Sequence, residues 1–159
     1  MESAAALRTD TNTSAQRTMS APAPSSAFKS EVNAAMRMLA AKGAVFVGQS
    51  VRYDGAAIYH SLDGVPMEQR VEMPVCEDFQ LGYCTGLAIA GKLPICIFPR
   101  MDFMLLCMNQ LVHHLDKMPE FGWRPRVIIR TTLGTHSVLN AGPQHVGDYC
   151  DAFRLMLKH

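Results

Sequence analysis

The stretch Val71-Glu-Met-Pro-Val-Cys-Glu-Asp-Phe-Gln-Leu-Gly-Tyr-Cys-Thr-Gly-Leu-Ala-Ile-Ala-Gly-Lys-Leu-Pro-Ile-Cys-Ile-Phe98 reads as strand, helix and strand in succession. Val71 to Met73 favours extended backbone and stops at Pro74. Asp78 to Ala90 has helical length, and Gly91 supplies a natural helix end. Leu93 to Phe98 is a second apolar run, stopped by Pro99. Two strands joined by a helix-length crossover pair in parallel.

The same alternation continues on either side. Upstream, Val32, Ala35, Met36, Leu39 and Ala40 recur at helical spacing, starting near Lys29-Ser30 and stopping at Gly43; Ala44 to Val47 then reads as a strand ended by Gly48. Downstream, Met101 to Met118 reads as a helix ended by Pro119, Arg126 to Arg130 as a strand containing Val-Ile-Ile, and Asp148 to Leu157 as a last helix. The expected fold is therefore α/β, a three-layer α/β/α arrangement around a mainly parallel central sheet. Residues 1–27 are rich in Ala, Ser, Thr and Pro with no apolar period, so a disordered extension is expected there and a domain over 28–159.

Composition narrows the class. Of 159 residues, 48% are hydrophobic and 18% charged, an ordinary globular balance. Fifteen Lys and Arg against 14 Asp and Glu leave a net charge of +1, so no overall field favours nucleic acid. Apolar runs are broken by Lys92, Asp102 or Asn109 before the ~18 residues a membrane span needs. Cys76, Cys84, Cys96, Cys107 and Cys150 form no CxxC pair and read as small buried thiols in a reducing compartment. Ala4 to Leu7 is too short an apolar stretch for a signal peptide, so a cytoplasmic setting is expected.

Familiar site motifs are missing. Gly82, Gly86 and Gly91 do not fit GxGxxG and lie in a helical pattern, where close helix packing explains them. Gly91-Lys92 is followed by Leu93, so there is no phosphate-cradling Walker loop, and no GxSxG is present. His113 and His114 point about 100° apart on a helix and leave Asp116 beside His113 alone, which reads as a polar edge rather than a metal site. The helix from Met101 to Met118 is apolar around most of its circumference; one face suits the sheet and the rest a second chain.

Two residues stand where parallel sheets place ligands. Glu77 follows a strand and opens a helix, although a carboxylate there is also explained by the helix dipole, a role Asp78 could fill. His145 lies in the Gly- and Pro-containing loop after the Val127-Ile-Ile129 strand, where a lone histidine is ordinarily solvated.

Several blocks occur together in order: Met73-Pro-Val-Cys-Glu-Asp-Phe-Gln-Leu-Gly82, Gly86 to Pro94, Phe98-Pro-Arg-Met-Asp-Phe103, Asn109-Gln110, Arg126 to Arg130 and Ala141-Gly-Pro-Gln-His145. Taken as a set, they resemble the pyrimidine-binding domain of the β subunit of thiamine-diphosphate-dependent 2-oxoacid dehydrogenases, a domain shared in outline with transketolase. The resemblance covers about residues 28 to 158 and implies the thiamine-diphosphate-binding fold. It implies that Glu77 holds a proton against N1′ of the aminopyrimidine and so activates the cofactor, which supplies the electron sink for decarboxylation of a 2-oxo acid. It implies further that Phe103 lies against the pyrimidine ring and that His145 faces the substrate as a proton-transfer group.

The pattern also departs from the family. The early Gly-Glu element, whose glutamate reaches the cofactor region in relatives, is Gly48-Gln49 here, so Gln49 is the expected cofactor-side residue. Relatives commonly follow the histidine with Ser-Gln, whereas this chain has Val146-Gly147. The Gly-Asp-Gly motif and later Asn that hold Mg²⁺ and the diphosphate are absent, because Gly147-Asp148 is followed by Tyr149. No metal ligand is therefore expected on this chain. The resemblance implies a split enzyme: a separate α-type, diphosphate-binding subunit would hold the Mg²⁺, in a hetero-oligomer such as a heterotetramer that acts on a small 2-oxo acid. The β subunit's usual second domain is expected to be absent. A catalytically silent scaffold or regulatory subunit, and transketolase-type two-carbon transfer, are the alternative expectations.

Overall fold

The structure, a computed structural model, describes residues 26–134 and 141–159. The expected extension over 1–27 lies outside these residues except for Ser26 and Ala27, which belong to the first helix. Helix α1 spans Ser26–Ala41, earlier than the Lys29-Ser30 start, since Ser and Ala add only a small helix penalty or none. The chain continues through β1 (Ala44–Gly48), α2 (Ala57–His60), β2 (Arg70–Glu72), α3 (Glu77–Ile89), β3 (Leu93–Ile97), β4 (Ile128–Arg130) and α4 (Cys150–Met156).

The four strands form one all-parallel sheet in the order β2-β1-β3-β4. Phe46 pairs with Ile95 and Val47 with Cys96, so strand alternation sends successive pairs to opposite faces. Ala44, Phe46, Ile95 and Ile97 pack with Met36 and Ala40 of α1. Val47 and Cys96 face Leu81 and Cys84 of α3, Met104, Cys107 and Leu111, and Phe153 of α4. Helices thus cover both faces, giving the three-layer α/β/α architecture, and each large apolar side chain fully buried in these layers contributes about 1.5–3 kcal/mol. Among the described residues no helix is long and apolar enough to cross a membrane.

The segment after β3 differs from the single helix expected over Met101 to Met118. It winds as a 3₁₀ helix over Met101–Cys107, a π-helix over Asn109–His114 and a second 3₁₀ helix over Leu115–Phe121 that contains Pro119. The physical reason lies in spacing. Met101, Met104 and Cys107 are all buried, and three residues per turn stack such a series in one straight row, where an α-helix would let it drift round the helix. Leu105 and Leu106 are left on the exposed side.

Smaller corrections follow the backbone chemistry. β4 begins at Ile128 rather than Arg126, because its pairing with β3 starts at Ile95 opposite Ile128. β2 ends one residue before Met73, whose own N–H still reaches the Gly48 carbonyl at 2.9 Å. Of the three glycines assigned to helix packing, Gly82 faces Gln110, Gly91 ends α3 at φ +78°, and Gly86 meets nothing. All five cysteines are free; Cys84, Cys96 and Cys107 are buried but Cys76 is exposed, contrary to a uniformly buried set. Burial pushes the Cys107 thiol up to about 12.

Arg70 ties the β1–β2 connection together. It is buried, with Nη1 donating to the Val51 carbonyl at 3.1 Å and Nη2 to the carbonyls of Leu62 and Val65 at 2.6 and 3.0 Å. Its guanidinium lies 4.9 Å from the Tyr59 ring centroid.

Candidate active site

The carboxyl ends of the four strands carry the polar residues. β1 leads into Gln49 and Ser50, β2 into the turn before Glu77, β3 into Arg100 and Phe103, and β4 ends on Arg130 and leads into Thr132. Connections diverge on either side of the β1–β3 pair, to β2 on one flank and β4 on the other, and crevices in parallel sheets form at such points.

Glu77 is the first residue of α3 and only 5% exposed. Its Oε1 accepts a hydrogen bond from Gln49 Nε2 at 3.1 Å. Neighbouring Asp78 is less buried and accepts from Gln110 Nε2 at 3.3 Å. Ser50, next to Gln49, adopts a left-handed backbone at φ +61°, a costly conformation for a residue other than glycine. The Glu72 carboxylate fixes that turn by accepting the backbone N–H groups of Ser50 and Arg52.

Phe103 and His145 form a second pair, their ring centroids 5.5 Å apart with the planes at 87°. His145 ends a 3₁₀ turn over Pro143–His145. The loop around it is moored by the Gly147 N–H to Asp102 Oδ1 at 3.2 Å and the Tyr149 N–H to Met101 Sδ at 3.2 Å. A Cβ on Gly134 would overlap the His145 carbonyl oxygen, so the backbone there passes too close for any other residue. Thr135 to Asn140 of the loop fall outside the described residues.

A cleft of about 390 Å³ opens at this edge, lined by Ser50, Arg100, Phe103, Arg130, Thr132 and His145 among others. The structure therefore brings together two of the expected residues in the cleft, Phe103 and His145, and two beside it, Gln49 and Glu77, which do not line it. The sequence reading missed Arg100, Arg130 and Ser50. Arg130 was nonetheless detectable by the rule applied to Glu77 and His145, since it ends a strand at the ligand-bearing edge.

Arg130 Nη2 donates to Ser61 Oγ at 2.8 Å, and burial lowers the guanidinium's proton affinity. Arg100 Nη1 donates to Thr132 Oγ1 at 3.1 Å. Among the described residues no Asp or Glu lines the cleft, so its chemistry favours anions. A second hollow of about 410 Å³, lined by Leu111, Leu115, Ile129 and Leu157, shares no residue with it.

The expected polar edge at His113, His114 and Asp116 is corrected in part. The two histidines are exposed, but Asp116 turns inward and accepts the N–H groups of Lys158 and His159 at 2.7 and 2.9 Å. Among the described residues no three His, Cys, Asp or Glu side chains cluster to hold a metal.

Compared with family models and with curated proteins, the chain matches none.

Proposed function

We propose that this chain is the aminopyrimidine-binding half of a split thiamine-diphosphate enzyme that decarboxylates a 2-oxo acid and transfers the resulting acyl or aldehyde-level unit. The observation that carries this reading is the buried Glu77 carboxylate at the carboxyl edge of a parallel sheet, oriented by Gln49 at 3.1 Å. A carboxylate in that setting is suited to share a proton with a ring nitrogen, because a dry, aligned partner strengthens the hydrogen bond. The Glu77–Gln49 pair suits the pyrimidine end of the cofactor, whereas among the described residues no cluster of His, Cys, Asp or Glu suits the Mg²⁺ and diphosphate end. That end would be held by a partner subunit.

In this scheme Gln49 orients Glu77, Glu77 holds the proton, and Phe103 offers an aromatic surface beside His145. His145 moves a proton at the substrate, a task imidazole performs near neutral pH. The cofactor, when bound, supplies the electron sink. Five unpaired thiols accord with a cytoplasmic setting.

The test mixes the chain with a polypeptide carrying Gly-Asp-Gly and a later Asn, together with thiamine diphosphate, Mg²⁺ and a panel of 2-oxo acids. Decarboxylation that is lost in Glu77→Gln supports the assignment. Full activity in that variant overturns it.

One observation favours a second reading, a silent scaffold. Glu77 Oε1 already has a partner within the chain, so the carboxylate is not left bare without a cofactor. Calorimetry separates the two: a reconstituted complex that binds no thiamine diphosphate is the scaffold.

A further inference from the structure

We infer that the cleft contains an oxyanion subsite, built by Arg130 with Arg100 beside it, for a second anionic group that the substrate keeps through the reaction. Assigning the anion to a 2-oxo acid rests on the proposed function. The subsite itself rests on the side chains.

Arg130 Nη1 is buried and has no hydrogen-bond partner. Its Nη2 is held by Ser61 Oγ, whose own proton goes to the Ile58 carbonyl at 2.6 Å, so the serine acts purely as an acceptor toward the arginine. Arg100 is oriented in the same manner by Thr132, whose hydroxyl donates to the Pro99 carbonyl. Neither guanidinium joins any ion pair among the described residues. Both line a cleft to which the described residues contribute no carboxylate. A half-buried cation fixed by neutral hydroxyls, with the buried Nη1 donor left over, lacks its counter-charge, and withdrawing such a charge from water is costly unless an anion compensates it. The planar guanidinium fork matches a carboxylate or a phosphate. His145 Nδ1, also buried without a partner, adds a third polar group to the same lining.

The anion recognised is not the carboxylate that departs as carbon dioxide. A guanidinium paired to that group would stabilise the ground state and oppose its loss. A group that persists carries no such penalty. The substrate class is accordingly a 2-oxo acid bearing a second carboxylate or a phosphate.

The experiment titrates the full-length chain with inorganic phosphate and separately with succinate at low ionic strength, following the arginine side-chain and His145 ring resonances by NMR. Saturable shifts at Arg130 are expected, with binding at least about tenfold weaker in Arg130→Gln, weaker in Arg100→Gln and unchanged in Arg154→Gln on α4. Preference for phosphate or for succinate assigns the group as phosphate or carboxylate. Equal binding by the wild type and a folded Arg130→Gln overturns the subsite. Should that variant not fold, Arg130→Lys keeps the charge and loses the fork, and unchanged binding in it and in Arg100→Gln overturns the subsite equally. Failure of the reconstituted complex to bind thiamine diphosphate would remove the proposed function and leave anion binding intact. Failure of anion binding would do the reverse.

Discussion

Gln49 Nε2 donates to Glu77 Oε1 across 3.1 Å although 28 positions separate the two residues. The bond joins the first residue beyond β1 to the first residue of α3, so two adjacent strands fix one carboxylate.

Replacing that amide tests the pair directly. Gln49→Ala removes the donor to a buried oxygen and is expected to cost ~1–3 kcal/mol in denaturant unfolding. Gln49→Glu sets two carboxylates against each other. Its melting temperature should lie furthest below the wild type near pH 8 and recover on acidification, as the pair takes up a proton that relieves the repulsion. A gap independent of pH would show that the two side chains do not interact.

Gly134 controls the placement of His145. Gly134→Ala drives a methyl group into the His145 carbonyl oxygen and should cost ~1–3 kcal/mol, as overpacking does. His145 ring resonances should shift while those of His113, exposed on the π-helix, stay in place. Unmoved His145 signals would refute the steric account.

Arg70 is expected to be irreplaceable by lysine. Its fork reaches three carbonyls on the β1–β2 connection, and a single ammonium cannot match that geometry. Arg70→Lys and Arg70→Met should each lose about 3 kcal/mol or more. Melting curves check this, and a lysine variant of wild-type stability would contradict it.

Asp116 gives a pH signature. Burial by itself raises its carboxyl, but the amides of Lys158 and His159, with Lys117, outweigh that effect and hold it below the usual carboxylate range. A depressed folded value contributes stability that is fully present above the unfolded value, about pH 4, and is lost as pH falls through the lowered folded value. Asp116→Asn should therefore melt below the wild type at pH 7, with the gap closing in acid below about pH 4. Hydrogen exchange at the Lys158 and His159 amides should accelerate in the same variant.

The parallel sheet was readable because each apolar run ends at a residue that stops it, Gly48, Pro74 or Pro99, and helix-length segments separate the runs. The winding after β3 was not. A run of Met, Leu and Cys has apolar residues at every spacing, so three, three-and-a-half and four residues per turn all satisfy it, and only packing against the sheet selects the tight turn. Glu77 and His145 were visible from their place at strand ends. Gln49 was singled out too, but its bond to Glu77 was not, nor was the approach of Gly134 to His145, since such contacts are encoded in no local pattern. Arg70, which opens β2 and fastens a connection, illustrates the same limit, since its three carbonyl partners lie 5 to 19 residues away.

Because each strand delivers its polar group through a separate loop, the edge of the sheet is modular. A change in the loop after β3 or β4 alters the cationic side of the cleft without touching the Gln49–Glu77 pair, which hangs from β1 and β2. The cationic lining on one flank can change while the hydrogen-bonded carboxylate on the other is kept.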